Sequence, residues 1–125
     1  MTRTLLLIDD DDDIREIAQL SLELGAGWTV LTASSGAEGV TLARTITPEA
    51  ILLDVMMPAL DGPATLEALR ADERTRRIPV VFLTAKARPA ERDRLAGLDV
   101  AGVLSKPFDP IALPDQIRSV LGWPA

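Results

Sequence analysis

Leu5-Leu6-Leu7-Ile8-Asp9-Asp10 runs straight into Asp11-Asp12-Asp13, and further on Ile51-Leu52-Leu53 closes on Asp54. Both segments are short apolar runs that stop at carboxylate. Such a run reads as a strand buried on both faces of a parallel sheet. Neighbouring strands of that sheet share their C-terminal edge, and ligand sites form outside it. Two strands ending in carboxylate therefore gather several negative charges at one place. At about 4 Å and an effective dielectric of about 20, each like-charged pair costs roughly 4 kcal/mol. The cluster needs a proton or a cation, and carboxylate oxygens suit a hard divalent ion such as Mg²⁺.

Working outward, short apolar runs alternate with helical patterns. After Leu5–Ile8, the residues Ile14, Ile17, Ala18, Ser21 and Leu22 recur at helical spacing, with an end near Gly25 and Asp12 or Asp13 as the cap. Trp28–Ala33 is the second strand. Ser35 and Glu38 form a capping box that opens a helix toward Ala43–Ile46. Ala50–Leu53 is the third strand, and Asp61-Gly62 turns into a helix begun by Pro63, with Leu66 and Leu69 on one face. Ile78–Leu83 is the fourth strand. Pro89 starts a polar, arginine-rich helix ending around Gly97, and Gly102–Ser105 holds a short fifth strand. Asp109-Pro110 then pairs a cap with a first helical residue, and Ile111, Leu113, Ile117, Val120 and Leu121 line the last helix. Five strands alternating with five helices imply right-handed crossovers and a doubly wound α/β parallel sheet covered on both faces.

The 125 residues are one domain's worth, 47% hydrophobic and 26% charged, which suits a globular fold with a real core. Only 3% is aromatic, so that core is mostly aliphatic, and Trp28 and Trp123 read as packing residues. Cys and His are absent. Their absence excludes disulfides, thiolate or imidazole metal ligands, phosphohistidine and Ser-His-Asp hydrolysis. The net charge of −6 disfavours nonspecific binding to DNA or anionic membranes, so the expected partners exclude both. With no signal-peptide pattern and no membrane-length apolar run, a cytoplasmic protein is expected.

The strand ends present Asp9 and Asp10, then Asp54, Thr84 and Lys106. A parallel sheet brings these to one edge. Metal-binding carboxylates, a nucleophilic carboxylate, a hydroxyl and a cation are what phosphoryl transfer to a carboxylate requires. For Asp11, Asp12 and Asp13 the reading is a solvated helix N-terminus.

At this point the chain resembles the receiver domain of two-component response regulators, the CheY-like fold. The matching stretches are Leu-Leu-Leu-Ile-Asp-Asp (5–10), Ile-Leu-Leu-Asp-Val-Met-Met-Pro (51–58) with Asp61-Gly62, Phe-Leu-Thr-Ala (82–85) and Lys-Pro-Phe (106–108). Each alone is weak; all four, in order and correctly spaced, are specific. The resemblance implies the flavodoxin-like strand order 2-1-3-4-5, already known for this family. It implies that Asp54 accepts a phosphoryl group from a phosphohistidine on a sensor histidine kinase or histidine phosphotransferase. By the same resemblance, Asp10 binds Mg²⁺ (or Mn²⁺) directly, Asp9 assists through water, and Asp54 and the Met56 backbone carbonyl complete the protein ligands. Thr84 and Lys106 bind the phosphoryl group, and the Lys106–Pro107 bond is cis. Met56 and Lys86 flank the phosphoryl group and influence its hydrolysis. The surface from Pro89 to the last helix, with Arg88, Arg92 and Arg94, carries output to an unknown downstream protein.

One position departs from the pattern. Many receivers carry an aromatic residue where this chain has Val103, so the familiar threonine–aromatic coupling is in question. The chain ends soon after the fifth helix, so residues 1–125 are expected to be a single receiver domain without an output domain. Such a unit is either stand-alone, a shuttle, or excised from a longer protein. It would be a monomer or a phosphorylation-dependent dimer, with catalysis limited to its own phosphorylation and dephosphorylation. Two alternatives remain. One is a pseudo-receiver that binds without being phosphorylated. The other is a haloacid-dehalogenase-like phosphatase with Asp9 as nucleophile, although Asp13 stands where that motif has Thr or Val.

Overall fold

The computed structural model describes residues 2–85 and 88–124. These form β1 (Thr4–Ile8), α1 (Asp12–Ala26), β2 (Thr29–Ala33), α2 (Gly36–Ile46), β3 (Ala50–Asp54), α3 (Gly62–Arg70), β4 (Val80–Thr84), α4 (Pro89–Ala96), β5 (Gly102–Ser105) and α5 (Leu113–Leu121). The strands make one parallel sheet in the order β2-β1-β3-β4-β5, the order of the CheY-like fold.

Side chains of a strand alternate between faces, and the core divides accordingly. Leu6, Ile8, Ile51, Leu53, Val80 and Phe82 face α2, α3 and Leu95 of α4. Leu5, Leu7, Leu52, Val81 and Leu83 face Ala18 and Leu22 of α1 and Leu113 and Ile117 of α5. The three central strands are thus buried on both sides, which is why they read as unbroken apolar runs.

Register fixes the site. Ile8 pairs with Leu53, Asp54 with Leu83, and Thr84 with Ser105. The residues at or just beyond these ends, namely Asp9, Asp10, Asp54, Thr84 and Lys106, therefore emerge along one edge.

Several element starts differ from the sequence reading. The cap of α1 is Asp11, not Asp12 or Asp13; its carboxylate accepts from the N–H groups of Asp13 and Ile14. The helix runs to Ala26, past Gly25, and stops at Gly27, whose φ of 71° only glycine adopts without strain. Trp28 is buried but off the ladder, its N–H donating to the Leu22 carbonyl, so β2 starts at Thr29. The last helix starts at Leu113 with Pro114 in its first turn. Asp109 instead closes a preceding turn, accepting the Ile111 N–H at 2.9 Å, and this leaves Ile111 exposed rather than on the core face. Ser35 caps α2 as expected, but Glu38 reaches back to the N–H of Ser34. Asp61 is the cap of α3, accepting the Ala64 N–H.

Candidate functional site

The carboxylates of Asp9, Asp10 and Asp54 lie at the C-terminal ends of β1 and β3, with one oxygen from each within 4.8 Å of the others. Asp9 is fully buried, Asp54 nearly so, and Asp10 is exposed. Four contacts hold Asp9. Its N–H donates to the Ala33 carbonyl at 3.1 Å. Oδ1 accepts from the Asp11 N–H at 2.9 Å, Oδ2 lies 2.7 Å from Lys106 Nζ, and its carbonyl accepts from Arg15 Nη1 at 2.7 Å.

Lys106 bridges the two buried acids, 2.7 Å from Asp9 and 3.1 Å from Asp54 Oδ1. Burial alone would lower the pKa of Lys106. The hydrogen bond and charge of Asp9, then those of Asp54, outweigh burial and hold it above its ordinary value. Asp54 is pushed up from 3.8 to about 6, first by burial and then by the charge of Asp9. Lys106 and the Met56 N–H, 3.4 Å from Asp54 Oδ1, pull the other way without winning.

The backbone aims these groups. Lys106 is held where its own N–H donates to the Thr84 carbonyl at 2.8 Å, and its peptide bond to Pro107 is cis. Thr84 is buried at the end of β4, next to the β3 end that carries Asp54. Met56 follows Asp54 by two residues with its side chain exposed. Val103 lies partly buried on β5 opposite Phe82, and its carbonyl accepts from Arg92 Nη2 at 3.2 Å. Arg92 also donates to the Ser105 hydroxyl through Nη1. The α4 residue thus covers the free edge of β5, a contact that sequence patterning does not show. Lys86 lies outside the described residues.

The donor set fits a hard divalent cation. Three carboxylates gather around Lys106 among the described residues, and the Asp54 pKa is raised first by burial and then by the charge of Asp9, a setting that a bound cation would offset. No helix among the described residues is long and apolar enough to cross a membrane.

Residues 5–118 match the response regulator receiver domain family. The chain is 39% identical over 119 residues to the DNA-binding dual master transcriptional regulator RpaA of Synechocystis sp., covering 94% of this chain and 48% of that protein. It is 35% identical over 123 residues to the alkaline phosphatase synthesis transcriptional regulatory protein PhoP of Bacillus subtilis, covering 97% and 49%. The chain thus spans about half the length of these relatives. Among solved structures, the chemotaxis response regulator CheY4 of Vibrio cholerae superposes with a TM-score of 0.88 at 28% identity, covering 96% of this chain and 99% of that one. A putative response regulator from Chloroflexus aurantiacus gives 0.87 at 31% identity, covering 98% and 99%.

These relatives correct the expectation of partners without DNA: RpaA is named as DNA-binding, and PhoP as a transcriptional regulator. That expectation came from a net charge of −6 summed over these residues. A charge balance over half of a regulator's length does not constrain what the rest of such a regulator binds.

Proposed function

The chain belongs to the response regulator receiver family of two-component systems, and from that premise we propose that Asp54 is a Mg²⁺-dependent phosphoacceptor. The observation that carries this reading is the position of Asp54, at the end of a central strand between two further carboxylates and one lysine. With a pKa of about 6 it is mostly ionised at neutral pH, so it is available as a nucleophile. In the proposed step, a carboxylate oxygen of Asp54 attacks the phosphorus of a phosphohistidine. The P–N bond breaks, its electron pair leaves on the imidazole, and an acyl phosphate forms.

Asp9, Asp10, Asp54 and the Met56 carbonyl would hold the metal, which when bound would offset charge on the phosphoryl oxygens. Lys106 shifts its contact from Asp54 to the new phosphoryl group, and Thr84 binds one of that group's oxygens. Asp9 is better suited to support than to attack, since both its oxygens are already engaged. That favours this reading over a phosphatase with Asp9 as nucleophile. Residues 1–125 act as one receiver unit whose chemistry is limited to gaining and losing its own phosphoryl group, and its readout is a change of protein contact.

A second reading rests on the relatives' names and lengths: the receiver controls transcription within a longer regulator. Comparing transcript profiles of cells carrying the native gene and its Asp54→Asn form tests it. Identical profiles under a stimulus that phosphorylates the protein would remove this reading.

The first test is incubation with acetyl phosphate and Mg²⁺, followed by intact mass. One added phosphoryl group is expected, lost on chelation and in Asp54→Asn. Labelling that persists in Asp54→Asn moves the nucleophile elsewhere, and no labelling of the native protein by acetyl phosphate or a histidine-phosphorylated donor favours a pseudo-receiver.

A further inference from the structure

Resting on the metal-binding reading of the acidic cluster, we infer that Arg15 is a positioning residue that sets the geometry of the metal ligands Asp9 and Asp10. Arg15 lies on the first turn of α1, and its side chain is only 18% exposed. It folds back over the loop between β1 and α1. Nη1 donates to the Asp9 carbonyl at 2.7 Å, Nη2 pairs with the outward-facing Asp12 carboxylate, and its own N–H donates to the Asp11 carbonyl at 3.0 Å.

The Asp9 carbonyl belongs to the planar peptide that joins the two ligands. Gripping that oxygen fixes the plane, and with it the direction in which Asp10 leaves β1. The Asp11 N–H fixes the Asp9 carboxylate from the same loop at 2.9 Å. The five consecutive aspartates span this loop and the first turn of α1 and repel one another, and the guanidinium fork of Arg15 ties the loop end, at Asp9, to the helix end, at Asp12.

Two explanations of Arg15 predict opposite signs. If it acts only as a charge, removing it relieves repulsion of a divalent cation, and Mg²⁺ binds more tightly. If it positions the ligands, removing it weakens Mg²⁺ despite the more negative field. Isothermal titration with Mg²⁺ alone decides, with far-UV circular dichroism confirming the fold. Arg15→Gln should bind Mg²⁺ about tenfold more weakly than the native protein, the low end of what outer-shell partners contribute. Arg15→Lys keeps the charge but cannot hold both oxygens, so it should also bind more weakly, and it carries the test alone if Arg15→Gln does not fold. Asp12→Asn should keep affinity within about threefold, because the grip on Asp9 survives. Unchanged or tighter binding in the Arg15 variants overturns the inference, as does an equal loss in Asp12→Asn. A native protein that does not bind Mg²⁺ overturns the reading beneath it instead.

Discussion

At the scale of a single side chain, the burial of Asp54 carries a cost in stability that depends on pH. Its folded pKa of about 6 lies above the ordinary 3.8. Between those values the folded state binds more protons than the unfolded one, so this group's contribution to stability falls as pH rises through the window. Above the window the deficit is complete, about 3 kcal/mol at roughly 1.4 kcal/mol per pH unit. The expected outcome is that metal-free Asp54→Asn matches the native protein near pH 4 and exceeds it by up to that amount at pH 8. Thermal melts with chelator, taken as the difference between the two proteins, cancel the other carboxylates. A difference that stays flat across this range would contradict the assignment. The same side chain was legible in the sequence because an apolar run stopping at a carboxylate is a positional signal. Arg15 was not legible, because its partner is a backbone carbonyl, and a carbonyl is present at every residue.

Among the elements, the junction between β3 and α3 ties the site to the fold. A Cβ on Gly62 would stand 2.7 Å from Val55 Cα and 2.8 Å from the Asp54 carbonyl, both backbone atoms that cannot step aside. Gly62→Ala should therefore destabilise by about 2 kcal/mol and displace Asp54, slowing acetyl phosphate labelling as well. Chemical denaturation checks the first effect; a change below about 0.5 kcal/mol would show that the junction yields. The number, type and order of elements followed from apolar periodicity, because buried parallel strands leave unbroken aliphatic runs. Element starts were less legible, for reasons specific to each. Five identical aspartates offer no local signal for which one caps α1. Trp28 is buried without joining the ladder, and burial is all that a hydrophobic pattern reports. At the last helix, Asp109-Pro110 and Pro114 both satisfy start rules, and the turn closed by Asp109 hands the first turn to Pro114. The site edge was legible as a set because Asp9, Asp10, Asp54, Thr84 and Lys106 each end or follow a strand, so topology alone assembles them. The Arg92 cover on β5 depends on how α4 lies, which periodicity leaves open.

Across the whole molecule, the acidic pole stores repulsion that a bound cation relieves. Anything that binds only the folded state stabilises it by mass action, by about 2.7 kcal/mol at a hundredfold excess over Kd. Mg²⁺ at that excess should raise the melting temperature by roughly 10 °C, and Asp10→Asn should lose most of the rise. Scanning calorimetry with and without Mg²⁺ measures both, and equal gains in the two proteins would remove Asp10 from the ligand set. The opposite pole holds Trp28 and Trp123 edge to face at 5.4 Å, with Arg3 over Trp123 at 4.0 Å and Arg118 over Trp28 at 5.1 Å. Five-residue strands put these rings about 15 Å from the acidic edge. The chain has two Trp and no Tyr, so the near-ultraviolet optics of the protein belong almost wholly to this pair. Its emission should stay constant through a Mg²⁺ titration and shift only if α5 leaves its seat. The molecule is optically silent at its chemistry and optically vocal at its far end, so a fluorescence change on phosphorylation would be a direct record of a signal crossing the sheet.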